Sequence, residues 1–196
     1  MRSPTSTSRL FDAPLKRTAR MFVIMVVAGG LAAGCGHATQ RIAGPPAPGA
    51  ASMSATVDDT LCSTGANSGP NATYHEAGAN STLVVDGMLF GPDGRIAGTI
   101  HLELHGSLAS GTYALTELGL GSGSVTTGSL GALVVASGGA AWQTDPAHVG
   151  ALVISRLDPV GSRVEGTFEF DGVDPTHGSI RRVHSGTFSS PLVIIP

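Results

Sequence analysis

His101, Glu103 and His105 alternate with leucines as a His-x-Glu-x-His array in this 196-residue chain. Imidazole nitrogens and a carboxylate are the donors a zinc ion takes, so His-x-Glu-x-His suggests a metal site first. On a strand, however, ~3.3 Å per residue sets His101 and His105 about 13 Å apart. Zinc at ~2.0–2.1 Å from each nitrogen does not comfortably join both. The expected state of the three is therefore a solvated strand face. A metal-dependent enzyme built on His101, Glu103 and a cross-strand residue is kept as an alternative.

The other histidines, at 37, 75, 148, 177 and 184, are scattered. Asp145, Asp158 and Asp174 each stand directly before a proline, a setting that initiates turns and does not pair carboxylates for catalysis. Gly-x-Ser-x-Gly, His-Glu-x-x-His, a P-loop and Cys-x-x-Cys are all missing from the sequence. The glycine run at 119–124 has no strand-to-helix setting for a phosphate. No catalytic residue and no cofactor is expected. Trp142, the single tryptophan, and Tyr74 are candidates for ligand or partner contact, as a stacking platform or an interface anchor, with core packing as the alternative. Tyr113 is expected to be buried.

Those side chains must be carried by strands. Thr99-Ile-His-Leu-Glu-Leu-His105 puts Ile100, Leu102 and Leu104 on one face, and Val164-Glu-Gly-Thr-Phe-Glu-Phe-Asp171 does the same for Val164, Phe168 and Phe170. Each alternates as a half-buried antiparallel strand does. Further strands are expected at 82–90, 111–118, 131–137, 139–144, 149–157 and 180–190, with Leu192-Val-Ile-Ile195 as a last one. Gly91-Pro-Asp-Gly94 and Asp158-Pro-Val-Gly161 preset turns that pair their flanks as hairpins, and Asp171–Gly178 supplies a longer loop. The result is a meander. The word Gly-Thr followed by a large residue recurs at 98, 111, 166 and 186. Glycine inside a strand marks a bulge or bend of the kind a curving sheet needs. The expected fold is all-β: an antiparallel sandwich or calycin-like barrel of about eight strands.

Ahead of this domain lies an address. Residues 1–20 carry five basic side chains against one acidic, and an uncharged apolar run follows over 21–34. Fourteen residues are too few to span a bilayer, which takes roughly 20, so the run is expected to be a signal peptide. It closes in Leu31-Ala-Ala-Gly-Cys35, which resembles a bacterial lipoprotein lipobox, with Ala32 where leucine is commonest. The resemblance implies cleavage before Cys35, acylation of that residue on sulfur and amine, and, with Gly36 following, passage to the outer membrane. Burial of three acyl chains at about 0.8 kcal/mol per CH₂ holds a protein firmly.

With the leader removed, six basic and thirteen acidic residues remain, a formal net charge of −7. Anionic lipid and nucleic acid both repel such a domain, so no nucleic-acid partner is expected and attachment rests on the lipid. Cys62 then has no partner within the chain and, in a stretch rich in Ser, Thr, Gly and Asn, is expected to be a spectator or intermolecular thiol and not a catalytic nucleophile. Residues 35–70, rich in Pro, Gly, Ser and Ala, are expected to be a flexible tether reaching about 30 Å or somewhat more. The expected division is a leader at 1–34, the tether at 35–70 and an all-β domain at 71–196.

Gly111-Thr-Tyr113, Gly150-Ala-Leu-Val-Ile154 with Asp158, Gly166-Thr-Phe-Glu-Phe170 and Gly186-Thr-Phe188 together resemble a family of bacterial lipoproteins of unknown function with a small all-β domain. The resemblance covers roughly residues 72–190. It implies a fold and carries over no catalytic residue. Three functions stand at this point: a non-catalytic, lipid-anchored envelope protein whose β-domain is an interaction or structural module; a lipocalin-like carrier of a small apolar ligand; and the metal-dependent enzyme. The first expects an envelope protein as partner.

Overall fold

A computed structural model describes residues 50–65, 67–120, 126–135 and 140–196. The expected leader, Cys35, the expected tether up to residue 49 and residues 121–124 of the glycine run lie outside the described residues. No described helix is long and apolar enough to cross a membrane.

The strands are β1 (Ser52–Val57), β2 (Thr60–Ser63), β3 (Asn71–His75), β4 (Ser81–Phe90), β5 (Ile96–Gly106), β6 (Gly111–Leu115), β7 (Leu118–Leu120), β8 (Thr126–Val134), β9 (Ala141–Gln143), β10 (Gly150–Asp158), β11 (Arg163–Val173) and β12 (Ile180–Ile195). They hydrogen-bond in the order β2-β1-β12-β3-β4-β5-β8-β9-β11-β10-β6, with β7 beside β8. Extra pairings of β2 with β4 and of β12 with β11 close a ring through eight strands, an irregular barrel. Between β12 and β4 the ring is spanned by the single strand β3 and also by the β1–β2 hairpin.

The expected alternation sets the core. Ile100, Leu102 and Leu104 are at most 1% exposed, and Val164, Phe168 and Phe170 are buried with them in one cluster that draws on both sides of the ring. Full burial of such a side chain stabilises by about 1.5–3 kcal/mol. The turns behave as their sequences require. Gly94 has φ 73° and donates to the Gly91 carbonyl at 3.0 Å, and Asp158 Oδ1 accepts from Gly161 N–H at 2.7 Å.

Two expectations are corrected. The tether does not run to residue 70, because β1 and β2 lie inside the fold, paired to β12 and to each other. Met53, Ala55 and Val57 alternate inward between small polar residues, and Cys62 is 2% exposed and part of the core. The order is also not a pure meander: β12 is one sixteen-residue strand that includes Pro191, and its last four paired residues run parallel to β3, Leu192 beside Ala72 and Ile195 beside His75. The glycines of the repeated word adjoin irregularities as expected, Gly98, Gly166 and Gly186 each flanking a register shift, and two of them also serve close approach. Gly166 faces Phe188, and Phe168 faces Gly186. A Cβ on Gly166 would lie 2.8 Å from the Phe188 ring, and one on Gly186 2.5 Å from the Phe168 ring. Each ring thus lies over the glycine opposite, filling with aromatic surface the space a side chain would take.

Candidate functional site

The His-x-Glu-x-His residues project from β5 onto the outer face of the β4–β5 pair. The ladder places Asp86 opposite His101 and Thr82 opposite His105. His101 touches Asp86 Oδ1 through Nδ1 at 2.7 Å and Glu103 Oε2 through Nε2 at 3.1 Å. His105 meets the other Glu103 oxygen through Nε2 at 2.7 Å, and its Nδ1 lies 3.1 Å from the Thr82 hydroxyl. The five side chains form one line, Asp86–His101–Glu103–His105–Thr82. With 22% exposure for the His101 and Glu103 side chains and 12% for His105, this face is half-buried, not the solvated face expected.

Burial alone would push the His101 pKa down. Hydrogen bonds to Asp86 and Glu103 outweigh it and raise the value from 6.5 to about 9, so both ring nitrogens donate and the ring is an imidazolium at neutral pH. Glu103 is held below the usual carboxylate range, chiefly by its bond to His101, against the opposing effect of burial. Both Glu103 oxygens are therefore engaged within the line, three of the four ring nitrogens face carboxylates, and the fourth faces the Thr82 hydroxyl. No group of three or more His, Cys, Asp or Glu among the described residues is placed to hold a metal ion.

The aromatic candidates part company. Tyr74 is 5% exposed and belongs to the core. Trp142, on β9, is 9% exposed; it donates from Nε1 to Ser179 Oγ at 3.0 Å and carries the Arg181 guanidinium 4.9 Å above its ring centre. Arg181 also pairs with Asp58 at 2.9 Å. Asp58 and Asp59, with φ of 45° and 67°, make the two-residue turn between β1 and β2, the backbone twist that such hairpins favour. Tyr113 is half-buried, and its hydroxyl closes a local loop, donating to the Ala109 carbonyl at 2.7 Å and accepting from Ala109 N–H at 2.8 Å.

Two further histidines are held by their own turns. His148 and His177 do not meet; each bonds the aspartate of its own turn, Asp145 at 2.9 Å and Asp174 at 2.8 Å. Those aspartates accept backbone N–H bonds as turn initiators, from Ala147 and His148 and from Thr176 and His177. Burial raises the Cys62 thiol pKa, with Asp93 adding to it, which lowers the thiolate fraction and with it the reactivity. A groove of about 330 Å³ lies along β10, β11 and β12, with Glu169, Asp171, Arg182 and His184 among its lining residues. Neither spacing nor motif singles out Asp86, Thr82 or Arg181 in the sequence; only strand pairing brings them to the histidines and to Trp142.

Comparison of the chain with protein-family models, with curated proteins and with solved structures returns no match.

Proposed function

We propose that the protein is a lipid-anchored protein of the bacterial cell envelope whose β-domain acts as a non-catalytic interaction or structural module. The observation that carries this reading is Leu31-Ala-Ala-Gly-Cys35 at the end of a basic and then apolar leader. The resemblance of the glycine–aromatic pattern to envelope lipoproteins with a small all-β domain points the same way. The site geometry is in keeping with it. The dense cluster of ionisable groups on β4 and β5 is bonded within itself, an arrangement that rigidifies a strand pair and leaves little capacity for a substrate.

The test is expression of the full chain in a bacterial host that processes lipoproteins, with fractionation and mass spectrometry of the mature N-terminal peptide. The expected result is a peptide that begins at Cys35 and carries acyl chains, in the membrane fraction; Cys35→Ala should remove the acylation and leave the leader attached. A native chain cut elsewhere, with an unmodified Cys35 side chain, would overturn the reading.

A further inference from the structure

Most neighbours in the ring are joined by long ladders, as between β4 and β5 from Ser81 to Phe90 and between β11 and β12 from Arg163 to Val173. The junction of β8 with β11 is different. It runs through β9, three residues long, which pairs with β8 over Ala132–Val134 but with β11 only at Val173 and Gln143. At the other end of the same junction, β6 reaches β8 through the bond from Thr116 N–H to the Ser129 carbonyl at 2.9 Å and the bond from the Ser129 hydroxyl to the Ala114 carbonyl.

Side chains do there what the ladder does not. Phe170 fills the space over Gly131 of β8, where a Cβ would lie 2.9 Å from its ring. Trp142 lies against Gly172 of β11, with its own Cβ 2.9 Å from where a glycine side chain would begin. Arg181 spans the outside, stacked on Trp142 of β9 and paired with Asp58 of the β1–β2 turn. That turn is itself bound to β12 by Asp58 N–H to the Arg182 carbonyl and Arg182 N–H to Asp58 Oδ1, both at 3.0 Å.

We propose that the barrel opens locally along this seam, β9 parting from β11, with the Asp58–Arg181–Trp142 contact as the latch that holds it shut. Local opening draws on the regions with fewest main-chain bonds and least packing to break. Separation at Val173 and Gln143 breaks a single ladder pair, whereas parting β4 from β5 breaks the ladder from Ser81 to Phe90 at once. The opened seam bares Phe170 and the apolar interior to the outside, while the other ladders keep the fold.

Amide hydrogen exchange of the full chain under native conditions tests this, with the emission of the single tryptophan as an independent readout of the latch. Exchange at Gln143 and Val173 should be at least about tenfold faster than at Leu102 and Leu104, whose opening needs the whole β4–β5 ladder to part. Arg181→Ala should raise it by about a further tenfold and increase acrylamide quenching of Trp142. A disulfide formed in the double variant Gln143→Cys, Val173→Cys should slow both sites to the rate of the β4–β5 amides, and its reduction should restore the difference. Equal protection at the seam and at β4–β5, or a disulfide without effect on the seam amides, would overturn the proposal; an Arg181→Ala protein with unchanged exchange and quenching would overturn the latch.

Discussion

In the β4–β5 hairpin the backbone is paired along the whole length of both strands and the outward side chains are linked end to end from Asp86 to Thr82. At the junction of β9 and β11 one residue pair closes the ring, and the Phe170 ring over Gly131, the Trp142–Ser179 bond and the Arg181 stack on Trp142 supply further cohesion. The same sheet is thus held together by a continuous ladder in one place and chiefly by side-chain contacts in the other. The two kinds of closure respond to different perturbations. Hydrogen-bonded charges are sensitive to pH and indifferent to volume; packed rings are sensitive to a lost methylene and indifferent to pH.

The largest effect is expected at the seam. Phe170→Ala removes a ring that is 3% exposed and packed over Gly131, and should cost about 3–5 kcal/mol in urea denaturation. A cost below that of the hairpin substitutions would break the comparison.

Second in size is the hairpin's charge. The folded pKa of His101, about 9, lies above its unfolded value. Its contribution is therefore fully present below about pH 6.5 and is lost as pH rises through about 9. Glu103 is shifted the other way, so its contribution is present above its ordinary pKa and lost on acidification. Urea midpoints should be highest on the mildly acidic side of neutral and fall toward pH 10. His101→Asn should cost about 2–3 kcal/mol at pH 6, a figure below the full shift because Asp86 is half-exposed, and should flatten the alkaline limb. An unchanged alkaline limb in the variant would place the titrating group elsewhere.

The smallest change sharpens the comparison within the hairpin. Thr82→Val removes the hydroxyl at the end of the line, where His105 loses one neutral hydrogen bond. A cost of about 0.5–1.5 kcal/mol is expected from the same denaturation series. A cost equal to that of His101→Asn would mean that the line acts as one unit and not as a strong centre with a weak end.

Strands with large apolar residues at every second position are legible in the amino-acid sequence alone. Ile100, Leu102 and Leu104 and the Phe168–Phe170 pair alternate over a clear polar background, and period two places them inward wherever the strand sits. β1 is hidden by the same rule, since Met53, Ala55 and Val57 alternate with Ser and Thr in a stretch whose composition looks like a linker. Asp86 illustrates a second limit. A simple turn over Gly91–Gly94 would pair Phe90 with Arg95 and set Val84 opposite His101. The turn instead pairs Phe90 with Ile96, and the irregularity between Leu89 and Phe90 adds one residue more, so that Asp86 takes that place and supplies the carboxylate that charges the ring.

By itself the sequence determined the all-β class, most strand positions, the turns built on Pro, Gly and Asp, and the face of each clear strand that goes inside. These follow from local sterics and from burial of apolar surface with period two, which need no knowledge of partners. Only the tertiary structure decided that β12 runs parallel to β3, that glycines and phenylalanines face each other across β11 and β12, that His101 stands between two carboxylates, and that Arg181 bridges Trp142 to the β1–β2 turn. Each of these depends on which strands become neighbours and in what register, a choice made by the packing of the whole core and not by any one segment.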